Sequence, residues 1–232
     1  AAWEIYSSVA SEYGGDPPVL AVVLAFADWV AGNVRIGSHE LPWYPNETLV
    51  YGEGDCDDQA NLLIAFCRAV GIPAYLQVGC IYLPYLYGGG EHVTNETIWG
   101  GHVCIASADV GWHGWAVVYV PPWGWLPFDL TIRGPGRFGY VTGSAFAKYW
   151  ALASFRVVSW DYVREYRELK AWLEETGCVY VIEEELVALA AEGGAPQPPP
   201  YFIASVVAGA CLLAALVAAL WRWRREVNSA AR

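Results

Sequence analysis

Cys56 stands in the run Gly52-Glu-Gly-Asp-Cys-Asp-Asp-Gln-Ala60, and a second run, His113-Gly-Trp-Ala-Val-Val-Tyr-Val-Pro-Pro-Trp-Gly-Trp-Leu-Pro-Phe-Asp129, follows downstream. Together they offer a thiol, an imidazole and a carboxylate in chain order. These are the groups needed for nucleophilic acyl transfer, in which a base activates the thiol and a carboxylate orients the base. His102, in Gly100-Gly-His-Val-Cys104, is the rival base. His39 and His92 fall in polar loops and read as surface residues. No Cys-x-x-Cys or His-x-x-x-His spacing is present, so neither a metal site nor a cofactor is read from the sequence.

The elements that must position these groups follow from patterning. Asp55 can cap a helix whose capping-box position is Asp58 and whose end is Gly71-Ile72-Pro73; Leu62, Leu63, Phe66, Cys67 and Val70 form its apolar face. Cys56 then sits in the first turn, where the helix dipole favours a thiolate, while Asp55, Asp57 and Asp58 oppose one. The imidazole of His113 is therefore required to stabilise it. Apolar runs at 74–81, 102–106, 115–120 and 125–130 read as strands. His113 opens one strand and Asp129 closes the next, with the turn at Pro121 to Gly124. A four-residue turn offsets them by about three positions, or ~10 Å, so a bulge at Pro127 is expected to bring them together.

Upstream, residues 1–13 read as a short amphipathic helix ended by Gly14-Gly15, and Asp16-Pro17-Pro18 as the cap and first turn of a buried helix. Residues 37–54 read as a loop, and Gly88-Gly-Gly90 as a mobile one. Beyond Arg133 the pattern is helical over 145–160 and 161–175, with a short strand at 179–182. No internal repeat is present.

Six cysteines occur, at 56, 67, 80, 104, 178 and 211. With Cys56 reserved for chemistry and Cys211 in an apolar segment, Cys67, Cys80, Cys104 and Cys178 allow three disulfide pairings, or are buried small hydrophobes; the spacing selects neither.

Hydrophobic residues make up 56% of the 232, rich for a soluble domain, and one segment accounts for part of this. Phe202 to Trp221 is twenty residues without a charge, about 30 Å as a helix and so long enough to span a bilayer. Tyr201, Trp221 and Trp223 suit the two interfaces, and Arg222, Arg224 and Arg225 place the C-terminus in the cytoplasm with residues 1–200 outside. The residues before this basic tail hold 9 basic against 23 acidic side chains, a net charge of −14 that excludes nucleic acid as a partner. Asn46-Glu-Thr48 and Asn95-Glu-Thr97 are glycosylation candidates on an exported face. A start at Ala1 in a chain without Met reads as a removed signal peptide or a trimmed start. Two Lys against eleven Arg, with no Met, fits either a heat-adapted organism or a biased genome.

The run Gly54-Asp-Cys-Asp-Asp-Gln-Ala-Asn-Leu-Leu-Ile-Ala-Phe-Cys-Arg-Ala-Val-Gly-Ile-Pro-Ala74 resembles the nucleophile helix of transglutaminase-like proteins. His113-Gly-Trp115 is similar to their His-Ala-Trp, and Gly124-Trp-Leu-Pro-Phe-Asp-Leu-Thr131 to their Gly-Trp-x-x-x-Asp-x-Thr; Asp28-Trp-Val30 with Asn33-Val34 matches the helix before the nucleophile. Gly114 stands where Ala is usual and Leu130 where Pro is frequent.

The resemblance implies a papain-like α+β core, a nucleophile helix on an antiparallel sheet, with Cys56 as nucleophile, His113 as base and Asp129 as its orienter. The expected organisation is a core over 1–133, a helical extension over 134–192 packed on it, a Pro-rich linker over 193–201, a transmembrane helix over 202–221 and a basic cytoplasmic tail over 222–232. The expected function is a membrane-anchored, extracytoplasmic cysteine enzyme hydrolysing peptide or amide bonds of a peptide or protein substrate, with transamidation open. Trp112 and Trp115 are candidate substrate-binding residues. The alternative is a catalytically silent surface scaffold or complex subunit with partner subunits in the membrane or at the surface.

Overall fold

The computed structural model describes residues 1–82, 93–134, 136, 138–141, 151–157 and 161–185. It divides into two units, one of Ala1–Ile81 with Gly111–Cys178 and one of Tyr82–Val110 with Val179–Arg232. The expected transmembrane segment, linker and tail, with Gly88 to Gly90, His92 and Cys211, lie outside the described residues. Among the described residues no helix is long and apolar enough to cross a membrane.

The first unit opens with α1 (Ala2–Glu12), stopped by Gly14 and Gly15 at positive φ, and α2 (Val19–Asn33). Asp16 makes no cap: α2 begins after Pro18, whose carbonyl accepts the Ala21 N–H at 2.9 Å, so both prolines precede the helix instead of forming its first turn. The expected loop over 37–54 contains α3 (Pro45–Tyr51), and a short parallel pair joins β1 (Arg35–Ile36) to β2 (Glu53–Gly54). Tyr44 and Glu47 close a capping box at the start of α3. α4 (Cys56–Ala69) follows at once.

Helix α4 is the centre of the core. Leu62, Leu63, Phe66 and Cys67 on its buried face meet Val22, Val23, Phe26 and Val30 of α2, and the rings of Phe26 and Phe66 lie edge to face at 5.6 Å. Such aromatic contacts add to the stabilisation from apolar burial. Beyond α4 come β3 (Ala74–Tyr82), β6 (Val110–Val120), β7 (Gly124–Phe128) and β8 (Ala151–Arg156), in the sheet order β7-β6-β3-β8. Ala116, Val118 and Val120, alternate residues of β6, join the same core, as the period of a strand requires.

The stretch 151–156 is a strand and not part of a helix, antiparallel to β3 with Gln77 opposite Arg156. Its Ala-Leu-Ala-Ser composition favours a helix, but an unpaired β3 edge would leave backbone donors and acceptors unsatisfied, and the ladder wins. The expected helical extension over 134–192 is therefore corrected: it contributes β8 to the main sheet, then α5 (Tyr162–Thr176), then β9 (Tyr180–Glu185).

The second unit holds a three-stranded sheet ordered β4-β5-β9, made by β4 (Val93–Ile98), β5 (Val103–Ala108) and β9. β4 and β5 are antiparallel, and β5 and β9 parallel. β4 went unread because Val-Thr-Asn-Glu-Thr-Ile carries four polar residues and an exposed face. No disulfide forms among Cys56, Cys67, Cys80, Cys104 and Cys178; Cys67 and Cys80 are fully buried and pack as small hydrophobes.

Candidate active site

Cys56 is the first residue of α4, with Asp55 as N-cap, and the thiol is half-buried. The turn is held by Asp58, one of whose oxygens accepts the Asp55 N–H at 3.2 Å and the other the Trp43 N–H at 2.7 Å. Gln59 donates from its amide to the Gly54 carbonyl at 3.0 Å. Gly54 is required there, since a Cβ would come within 2.7 Å of the Asp58 Cβ and 3.1 Å of Thr48 Cγ2. Asp58, the third aspartate expected to oppose the thiolate, thus spends both oxygens on backbone amides.

The sheet presents the other two groups. His113 is buried in β6, and Asp129 follows the last residue of β7 at 1% exposure. His113 Nε2 lies 2.5 Å from Asp129 Oδ2. The other Asp129 oxygen accepts the Thr131 N–H at 2.9 Å, the Thr131 hydroxyl at 3.0 Å and the Ile132 N–H at 2.8 Å. A carboxylate tied by three donors on one oxygen cannot readily swing away, so the imidazole on its other oxygen is fixed in orientation.

No bulge at Pro127 is needed for this pairing. The β6–β7 ladder runs in step from Val120 opposite Gly124 to Ala116 opposite Phe128, with Pro127 opposite Val117. The loop has three residues, closed by Trp123 N–H donating to the Val120 carbonyl at 2.9 Å, and Gly124 takes φ 84° where a side chain would be strained. Continuing the register sets Asp129 opposite Trp115, two positions from His113. An even offset leaves both side chains on one face, and a diagonal pair is within reach of an imidazole.

Gly114 brings β6 against the start of α4. A Cβ there would sit 3.0 Å from the Asp57 Cβ and 3.3 Å from its Cα, so glycine permits the approach. The Gly114 N–H donates to the Cys56 sulfur, one residue from the imidazole. No thiol–imidazole hydrogen bond accompanies these contacts among the described residues. Burial pushes the Cys56 thiol well up, the charges of Asp57 and Asp55 push it further, and Asp129 adds to them; the Gly114 amide pulls the other way. The resting group is a neutral thiol.

The carboxyl oxygens of Asp55 and Asp57 and the Cys56 sulfur lie within 4.8 Å of one another, the one such cluster among the described residues. Burial raises Asp57 well above the carboxylate range, and its hydrogen bond to Asp55 and the Asp55 charge raise it further.

The remaining candidates separate. His102 ends a 3-10 turn in the second unit, where its carbonyl accepts the Tyr180 N–H at 2.8 Å, whereas His113 shares a unit with Cys56 and Asp129. His39 is no surface residue: it is half-buried and stacked on Trp43 at 3.6 Å. Trp115 is 0% exposed, its ring 5.8 Å from that of His113, so it is part of the interior and not a substrate surface. Trp112 is 37% exposed. Asn46 is exposed on α3, although Thr48 of its sequon is fully buried, and Asn95 is exposed on β4. Sequence reasoning missed Tyr162 and Tyr166 of α5, which reach Asp57 and carried no motif.

A helix that starts on a cysteine, set against a sheet that holds a paired histidine and aspartate, defines a papain-like α+β arrangement. The family model of the transglutaminase-like superfamily matches residues 7–130, and the chain belongs to that superfamily. Two solved structures are similar in part. One is a proposed cysteine protease from Cytophaga hutchinsonii, 24% identical with a TM-score of 0.38, covering 66% of this chain and 46% of its own. The other is a TGase, 15% identical with a TM-score of 0.37, covering 58% of this chain and 32% of its own. The chain thus spans less than half the length of either. No curated protein matches it.

Proposed function

We propose that the protein is a cysteine acyl-transfer enzyme that hydrolyses peptide or amide bonds, with Cys56 as nucleophile, His113 as base and then acid, and Asp129 as the orienter of His113. The observation that carries this is the buried His113–Asp129 pair at 2.5 Å, held one residue from the amide that contacts the thiol. With Nε2 committed to Asp129, Nδ1 is the nitrogen that takes the thiol proton. Because the resting thiol is neutral, this transfer accompanies attack instead of preceding it, and the contact tightens as substrate binds.

Sulfur bonds to the carbonyl carbon, backbone amides at the start of α4 receive the oxyanion, and the C–N bond breaks as His113 returns the proton to the leaving amine. Water, deprotonated by the same imidazole, then cleaves the thioester and restores the thiol. Hydrolysis needs only water; an amine in its place gives transamidation. The uncharged segment 202–221 supports a tether that holds the domain at the outer face of a membrane, where peptide or protein substrates would reach it.

The alternative, a scaffold without turnover, draws on the raised thiol. Acylation by a p-nitrophenyl ester separates the two, since this leaving group needs no protonation and asks nothing of substrate fit. The enzyme reading expects a burst of nitrophenol with the acyl group on Cys56, slowed roughly 10²-fold or more in His113→Ala. An acyl group that lands elsewhere, or a rate indifferent to His113, overturns it.

A further inference from the structure

Helix α5 lies outside the region that the family model matches, yet it reaches the thiol's flank. Its first residue, Tyr162, has its hydroxyl hydrogen-bonded both to the Asp57 carboxyl and to the Tyr166 hydroxyl one turn on; the two rings are 4.8 Å apart. The helix is bolted in place. Asp161 caps it by accepting the Arg164 N–H at 3.1 Å and also accepts the Tyr44 hydroxyl at 3.0 Å. Arg167 pairs with Glu47 at 2.8 Å and lies over the Tyr44 ring at 4.9 Å, and Lys170 pairs with Glu40 at 3.4 Å. Tyr44, Glu47 and Glu40 belong to the segment that leads into α4.

We propose that α5 supplies a brake on the nucleophile: Tyr162, backed by Tyr166, donates to the Asp57 carboxyl and holds negative charge against the Cys56 thiol. The two tyrosines are positioning residues, acting on the thiol through Asp57. Their relevance to catalysis rests on Cys56 being the nucleophile; their effect on its ionisation does not.

The cluster's electrostatics fix the direction. The Asp57 carboxyl lies within 4.8 Å of the thiol sulfur and of an Asp55 oxygen; burial raises it, and a hydroxyl donated to it favours its ionised form. Asp57 is in turn the largest charge opposing the thiolate. The other groups facing the cluster are Asp58, spent on two amides, Asp129 and His113, spent on each other, and His39, which acts on Asp58. None of these supplies Asp57 with a hydroxyl donor. Loss of the Tyr162 hydroxyl lets Asp57 keep its proton to higher pH, so the thiol ionises more readily. The device keeps an exposed enzyme's thiol in its less oxidisable form until substrate displaces the balance.

The test is the pH profile of iodoacetamide alkylation at Cys56, read by mass spectrometry on the full chain for wild type, Tyr162→Phe, Asp57→Asn and the double variant. Asp57→Asn is expected to move the midpoint down by about one pH unit, which is tenfold in thiolate at a given pH below it. Tyr162→Phe should move it the same way by a smaller step, and the double variant should match Asp57→Asn alone. Tyr166→Phe, which removes only the backing hydroxyl, should shift it less again and serves if Tyr162→Phe does not fold. A profile unmoved by the tyrosine variants, or a Tyr162→Phe shift that persists in full beside Asp57→Asn, overturns the brake. Because ionisation is read without turnover, the brake can hold in a protein that shows no acyl transfer, and acyl transfer can hold without the brake.

Discussion

At the scale of the residue, Cys56 is governed less by its place at a helix start than by what surrounds it. The dipole and the Gly114 amide favour the thiolate, while burial, Asp57, Asp55 and Asp129 oppose it, and the opposing side wins. A raised thiol means less thiolate at neutral pH and ionisation only above the ordinary cysteine range. The alkylation rate at Cys56 should therefore still be climbing at pH 9, past the roughly 8.5 at which a free cysteine is half ionised. A plateau below pH 7 would instead show a resting thiolate–imidazolium pair. The charges that raise the thiol are those of Asp57, Asp55 and Asp129, while Asp58 serves the helix start by accepting two backbone amides. The sequence shows three aspartates, but only the fold tells Asp58, bound to two backbone amides, from Asp55 and Asp57, which face the thiol.

At the scale of the element, the hairpin β6–β7 and helix α4 each contribute geometry that no single residue has. Register parity decides the histidine–aspartate pair: an offset of two keeps both on one face, and an offset of three would have turned Asp129 away. Counting Gly124 as a loop residue gave the wrong parity, because its left-handed φ does not prevent it from pairing with Val120. The start of α4 depends in the same way on Gly54. Gly54→Ala forces its new methyl into Asp58 and Thr48, and overpacking of this kind costs about 1–3 kcal/mol. Chemical denaturation should show that loss, and acylation of Cys56 should fall with it because Asp58 can no longer hold the turn. Unchanged stability would mean that the α3–α4 junction relaxes more freely than its contacts indicate. Strand β8 shows the opposite lesson, since its composition spoke for a helix and the open edge of β3 decided otherwise.

At the scale of the whole molecule, the groups proposed for catalysis all belong to the first unit, which is built from residues on both sides of the stretch Tyr82–Val110. Residues 111–178 return to complete the sheet and to bring α5 beside α4. The uncharged segment 202–221 leads to a separate prediction about where the molecule resides. The full chain should partition into membranes or detergent, and a chain ended at residue 192 should stay in the aqueous phase. Equal partition of the two would remove the anchor.

By itself the sequence determined the family, the helix that starts on Cys56 with its capping box, and a thiol, a carboxylate and two rival imidazoles. These rest on local chemistry: a cap, an apolar stripe, a glycine stop and three ordered motifs, each legible within a few residues of itself. It also placed Tyr162 and Tyr166 on a helix, but with no sign that they mattered. Only the tertiary structure decided that His113 and not His102 is held by Asp129, that Trp115 is interior, that β8 is a strand, and that Tyr162 of α5 reaches Asp57 beside Cys56. Each of these depends on contacts between segments far apart in the chain, where hydrogen-bond satisfaction and charge proximity override local preference.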